Sequence, residues 1–165
     1  MSRRLYSLLL ILLSPLLLGW MALRARRAGG QWSVLGAARF GHYRRPAPIR
    51  GAIWIHAVSL GETRAAQPLI RALLDRGYPV LLTHLTATGW AEGQRVHARD
   101  IAQGHLLQAW LPYDFPGATQ RFLRHYRPAM GVLIEREVWP NLVHAASRAD
   151  MPLILASARL SAASL

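Results

Sequence analysis

The sequence predicts a parallel α/β sheet domain behind an apolar N-terminal helix. Three features of its 165 residues point there. From Gly51 onward, short apolar runs rich in Val, Ile and Leu alternate with amphipathic stretches, the pattern of strands joined by helical crossovers. Leu5 to Leu23 is a run of 19 residues without a charge. A hydrophobic content of 52% supplies enough apolar surface for a core and excludes a wholly disordered chain.

The apolar run comes first. As a helix, 19 residues cover about 28 Å, close to the roughly 30 Å of a bilayer's hydrocarbon core. Pro15 is tolerated in such a helix, and Trp20 sits near one end, where interfacial aromatics belong. A cleaved signal peptide has a shorter apolar region of about 7–15 residues and a small-x-small cleavage site. This run is longer and ends in Arg24, Arg26 and Arg27, so residues 1–23 are expected to form an uncleaved transmembrane anchor. The Arg excess after the run places its C-terminal side in the cytoplasm. Residues 24–50 read as a basic, membrane-proximal linker with Trp32, Phe40 and Tyr43 among its Arg residues. Such a stretch either lies on anionic head groups or is a solvated connection that sets topology.

Pro46, Pro48 and Gly51 mark the start of the domain, residues 51–165. Ile53 to Val58 reads as a buried strand, and Thr63 to Arg76 as a helix ended by Gly77. Pro79 to Thr83 is a second strand and Thr88 to Arg99 a second helix. Leu106 to Leu111 is a third strand, followed by a helix over Pro116 to Tyr126. Ala129 to Ile134 is a strand, Val138 to Arg148 a helix, and Leu153 to Ala156 a last strand. Parallel sheets of this kind use right-handed crossovers and bind ligands beyond the carboxyl ends of their strands.

Charge and composition narrow the function. All 20 basic residues are Arg, against eight acids, for a net charge of +12. Residues 1–61 hold nine Arg and no acid, so the excess is N-terminal and adjoins the apolar run. A nucleic-acid binder spreads its basic face through the folded domain, so nucleic acid is not the expected partner. With no Cys, disulfides, Cys-zinc sites and thiol catalysis are excluded together. The seven His are scattered without the spacing of a zinc helix, and no metal or cofactor site is expected. P-loop, GxGxxG and GxSxG patterns are absent.

Candidate chemistry lies at the strand ends. After the first strand, Ser59-Leu60-Gly61-Glu62 leads into a helix. Gly61 permits close approach of a ligand, and Glu62 offers a carboxylate able to take a proton from a hydroxyl. The same residues also read as a capping box, with Ser59 as N-cap and Glu62 three residues later. The helix dipole favours the charged form of a carboxylate there, which weakens it as a base. After the second strand, Thr83, Thr86, Thr88 and Gly89 suit phosphate or sugar hydroxyls, or Thr88 simply caps the helix. After the third, Asp114 reads as a cap for the next helix, with Pro116 in its first turn. After the fourth come Glu135, Arg136, Glu137, Trp139, Pro140 and Asn141. Two of only eight acids meet there at one strand end, as a site or as a surface charge cluster.

Taken together, IWIHAVSLGETRAAQPLIRAL, LLTHLTATG, LPYDFPGA, IEREVWPNL and LASARLSAAS, behind a greasy basic N-terminus, resemble the N-terminal half of the 3-deoxy-D-manno-octulosonic acid (Kdo) transferases. The resemblance covers roughly residues 5–165. It implies a GT-B, inverting glycosyltransferase of two Rossmann-like domains on the cytoplasmic face of the Gram-negative inner membrane. Such an enzyme transfers Kdo from CMP-Kdo to a lipid A precursor in lipopolysaccharide biosynthesis and needs no bound metal. The N-terminal domain holds the acceptor and the C-terminal domain the nucleotide donor.

By the same resemblance Glu62 is the general base. Ser59 and Gly61 shape its loop, and Glu135, Glu137, Trp139 and Asn141 line the cleft between domains. Thr88 and Gly89 are further acceptor-side candidates. Ser157 stands where the family's Asn is expected before Ala-Arg-Leu-Ser, and Arg136 where Thr is expected. The 165 residues carry no donor domain, so the chain alone is expected not to turn over CMP-Kdo. The alternative is a membrane-anchored acceptor-binding module without catalysis of its own.

Overall fold

The computed structural model describes residues 2–27, 33–44, 49–134 and 139–156. The chain opens with α1 (Arg3–Arg27) and a single 3-10 turn at Ala37–Phe40. There follow β1 (Ile53–His56), α2 (Leu60–Asp75), β2 (Val80–His84), α3 (Ala87–Val96), α4 (Ala98–Ala102) and β3 (Leu106–Trp110). Then come α5 (Pro116–Tyr126), β4 (Met130–Ile134), α6 (Pro140–Arg148) and β5 (Leu153–Ala156).

The five strands form one parallel sheet in the order β3-β2-β1-β4-β5. Side chains alternate between its faces, as the strand period of two requires. Trp54, Leu81 and Leu133 pack on one face with Phe122 and Tyr126 of α5 and Leu142 of α6. Ile55, Val80, Leu82, Val132 and Ile134 pack on the other with Ala66 and Ile70 of α2. Burial on both faces explains why the strands read as nearly unbroken apolar runs. The chain winds outward from β1 to β3, then returns to lay β4 on β1's other side. The strand order therefore reverses between β1 and β4, and the crevice outside their carboxyl ends is the topological switch point where ligands bind in such sheets.

The expected parallel α/β class is the observed one, and α5 has the expected bounds, with Pro116 at the first helical position. Most other boundaries shift by one or two residues, and two differences have a structural reason. α2 starts three residues ahead of Thr63, because Ser59 in extended conformation serves as its N-cap. The single helix expected over 88–99 is divided at His97, whose φ of −106° and ψ of 21° end α3 and start α4. The break turns the imidazole into the interior, where its Nδ1 lies 3.8 Å from Asp100 Oδ2.

α1 is long and apolar enough to cross a membrane, with a mean hydropathy of 2.0. Residues 33–44, which fall within the stretch read as a basic linker, pack onto the domain. Val34 and Arg39 are buried, and Tyr43 packs against Phe122 and Tyr126. The Arg39 guanidinium lies 4.1 Å from the Trp110 ring centroid and donates to the Leu85 carbonyl at 2.7 Å. Its charge is thus spent on a ring face and on carbonyls rather than on head groups. Burial lowers its pKa to about 10, which still leaves it charged at neutral pH.

Candidate active site at the carboxyl edge of the sheet

The turn after β1 is held from below and from the side. The Val58 carbonyl accepts from Leu85 N, Thr86 N and the Thr86 hydroxyl, at 3.3, 3.1 and 2.9 Å. Three donors on one carbonyl tie this turn to the one after β2. Glu62 then reaches back over the turn. Its Oε2 accepts from Val58 N at 2.6 Å, and its Oε1 accepts from the Ser59 hydroxyl at 3.1 Å.

This is a modified capping box. Ser59 makes no side-chain bond to the helix backbone, and Glu62 takes the amide one residue ahead of the N-cap. Thr63 locks the turn further, donating from both its amide and its hydroxyl to the Ser59 carbonyl. The carboxylate sits half-buried in the first turn of α2, where the helix dipole supports negative charge. These two bonds fix the direction of the carboxylate. At Gly61 the position a Cβ would take has nothing within 4 Å. Open space therefore lies directly beside Glu62 in the chain.

Gly89 has the opposite surroundings. A Cβ there would stand 2.9 Å from the Val58 carbonyl oxygen and 3.1 Å from His84 Nδ1. Only a residue without a side chain lets α3 close on the Glu62 turn. The cap of α3 is Thr86, whose side chain accepts from Gly89 N at 3.2 Å. Thr88, read as a possible cap, is not the cap: it lies exposed within the first turn, its hydroxyl 3.3 Å from that of Thr86.

Beneath the turn lie two buried imidazoles. His56 Nδ1 is 2.9 Å from the Thr83 hydroxyl, and His84 Nδ1 is 2.9 Å from the Ala57 carbonyl. Burial drives His56 down to about 3 and His84 down to about 4, so both are neutral at physiological pH. They are fixed hydrogen-bonding parts of the floor rather than proton carriers.

Asp114 does not cap α5, the helix that follows it. Its carboxylate accepts from Asn141 N at 2.9 Å and Leu142 N at 2.8 Å, capping α6 across the sheet. Phe115 occupies the N-cap position of α5. Burial raises the Asp114 pKa, against the lowering effect of those amides. Asn141 is also buried and fully engaged. Its Nδ2 donates to the Asp114 carbonyl at 2.6 Å, and its Oδ1 accepts from Arg3 at 3.1 Å and Ser7 at 3.0 Å. Asn141 thus stands at the joint between α1 and the domain. Trp139 is half-buried and lines an apolar groove of about 100 Å³ between α1 and the β3–α5 loop. Glu135 and Glu137 lie outside the described residues, as do Arg136 and Ser157. The strand they follow, β4, ends at Ile134, paired directly beside β1.

The structure therefore brings Ser59, Gly61, Glu62, Thr88 and Gly89 together at one corner of the carboxyl edge. It sets Trp139 and Asn141 near α1. A cleft of about 450 Å³ between the C-terminal ends of α5 and α6 lies at the opposite, amino edge and holds none of the candidates. Reading the sequence missed the burial of Arg39, the capping role of Thr86 and the destination of Asp114. Thr86 was one residue choice away; Arg39 lies in a segment without periodicity.

The domain is a doubly wound parallel α/β sheet with a clamped carboxylate beside its switch point, the edge at which such sheets bind ligands. The relatives are specific. The family model described as 3-deoxy-D-manno-octulosonic-acid transferase (kdotransferase) matches residues 36–165. The 3-deoxy-D-manno-octulosonic acid transferase of Bordetella pertussis is 60% identical over all of this chain and 39% of its own length. That of Haemophilus influenzae is 35% identical over 99% of this chain and 38% of its own. A probable mitochondrial 3-deoxy-D-manno-octulosonic acid transferase of Arabidopsis thaliana is 37% identical over 96% and 34%. The chain belongs to the 3-deoxy-D-manno-octulosonic-acid transferase family of glycosyltransferases. It spans between a third and two fifths of the length of these relatives.

Proposed function

We propose that this chain is the acceptor-side half of a Kdo transferase, acting at the cytoplasmic face of the inner membrane. The observation that carries the proposal is Glu62, clamped at the carboxyl end of β1 with open space at Gly61. In the reaction, a hydroxyl oxygen of the lipid A precursor attacks the anomeric carbon of Kdo. Glu62 takes the hydroxyl proton. The bond from that carbon to the phosphate oxygen of CMP breaks, and CMP leaves from the opposite face with the electron pair. A phosphate leaving group needs less acid assistance than an alkoxide, so one base on the acceptor side suffices. CMP-Kdo is a substrate here, and the groups that hold it belong to a second domain.

The apolar α1 keeps the enzyme where its lipid-linked acceptor is found, and the Arg residues that follow it suit the acceptor's phosphates. The test is Kdo transfer in membranes. The 165-residue chain, alone and together with the C-terminal half of a full-length relative, is given CMP-Kdo and lipid A precursor. Transfer only with both halves supports the proposal. Precursor binding without transfer in either case favours the acceptor-binding module instead.

A further inference from the structure

The reading of α1 as a membrane anchor leaves open how it meets the bilayer, and its packing bears on that. The less exposed residues of α1 recur at Arg3, Ser7, Leu10, Ser14, Leu18, Met21 and Ala25, steps of three and four that form one stripe along all seven turns. That stripe faces the domain. At its start, Arg3 and Ser7 both bond Asn141 Oδ1, and Tyr6 lines the same groove as Asp114. Further along, Leu10, Ser14, Leu18 and Met21 line a groove with Tyr113, Phe115 and Trp139. The polar residues inside the apolar run, Tyr6, Ser7 and Ser14, all lie on this side. The other side of the run is apolar, mostly Leu and Ile, with Trp20 near its C-terminal end. Ten of the sixteen exposed large hydrophobic residues described sit on α1, among them Leu12 and Leu16 at 64% and 74% exposure.

A helix that crosses a bilayer with the domain beyond its C-terminal end carries its first turn to the far side. Here the first turn is bonded to the N-terminus of α6. Both arrangements cannot hold at once. We propose that α1 lies in the plane of a single leaflet, docked on the domain along one stripe with its opposite face in the acyl chains, and does not span. The occupant of that face is the lipid bilayer. Arg4 at one end, and Arg24, Arg26 and Arg27 at the other, then meet anionic head groups of the same leaflet.

The chain has no Cys, so single cysteines report topology directly. Ser2→Cys precedes α1, and Ser147→Cys lies exposed on α6. Each is treated with a membrane-impermeant maleimide in spheroplasts and in inverted inner-membrane vesicles. The in-plane helix predicts that both label only in inverted vesicles. Labelling of Ser2→Cys in spheroplasts, with Ser147→Cys protected there, overturns it while leaving the anchor intact. Failure of the chain to float with membranes overturns the in-plane helix and the anchored reading together. Nitroxides at Leu5, Leu12, Leu16 and Leu23 in reconstituted vesicles give a second, independent measure. Similar shallow depths along the helix agree with the in-plane arrangement, and a depth maximum at mid-helix contradicts it.

Discussion

Glu62 owes its direction to its neighbours. The amide of Val58 and the hydroxyl of Ser59 hold its two oxygens, and three donors from the β2–α3 turn hold the Val58 carbonyl in turn. Gly89 and Gly61 therefore separate into opposite tests. Gly89→Ala forces a methyl group against the Val58 carbonyl oxygen at 2.9 Å, and overpacking of that kind costs about 1–3 kcal/mol. Its thermal midpoint is expected to fall, and transfer with it. Gly61→Ala meets nothing within 4 Å and removes backbone freedom from a helical turn, which stabilises by about 0.4–1 kcal/mol. Its midpoint is expected to hold or rise while transfer drops, because the methyl group occupies the space beside the base. Undiminished transfer by Gly61→Ala would show that the space at Gly61 has no bearing on the reaction.

His56 and His84 carry a pH signature. Each is neutral when folded, at about 3 and about 4, and each takes a proton near pH 6.5 when unfolded. Their stabilisation is fully present above pH 6.5 and is lost as pH falls towards those folded values, by up to about 1.4 kcal/mol per pH unit for each group. Glu92, held down to about 2 by Arg95 and Arg64, adds to the loss only below its own unfolded value of 4.5. Denaturant midpoints measured between pH 6.5 and 4.5 are therefore expected to fall steeply. His84→Gln is expected to flatten that slope. An unchanged slope in the variant would remove His84 from the account.

Among elements, α6 is the one whose start is decided elsewhere. Asp114 provides two acceptors to its first amides from the far side of α5. Loss of such a buried, charge-assisted cap costs about 1–3 kcal/mol. Asp114→Ala is expected to lower the thermal midpoint by several degrees and to loosen α1, since the amide of Asn141, the residue that holds Arg3 and Ser7, loses its carboxylate partner. Release of α1 can be followed by protease cleavage near Arg27. The local pattern around Asp114 offered Pro116 and a helix immediately downstream, so the sequence pointed to α5. A cap donated across more than 25 residues leaves no mark in a local pattern. α5 itself was legible to the residue, because Pro116 opens it and its apolar stripe is clear. The break at His97 was not, because a buried imidazole and its Asp partner decide it, and periodicity runs on through both.

For the whole molecule, alternation of apolar runs and amphipathic stretches was enough to read the sheet, its parallel sense and which residues stand at its carboxyl edge. It placed Glu62 at that edge, and the resemblance of HAVSLGE assigned the chemistry. What the pattern could not supply was the packing of residues 33–44, where Arg39 is buried against Trp110 in a stretch that composition marked as a basic linker, either on head groups or solvated. Nor did it show that Asn141 fastens α1 to the domain, since Arg3 and Ser7 lie more than 130 residues away in sequence. Net charge told where the basic residues lie in the chain, and only the fold told which of them face outward.

The central claim is that Glu62 takes the acceptor proton. The direct measurement is Kdo transfer by the two reconstituted halves with Glu62→Gln, which keeps the shape and an acceptor for Val58 N, offers the Ser59 hydroxyl a donor in place of an acceptor, and cannot take a proton. The account predicts a fall in kcat of about 10²–10⁴, the contribution of a general base, with precursor binding and thermal midpoint little changed. A Glu62→Gln enzyme that transfers Kdo at the unmodified rate would contradict it.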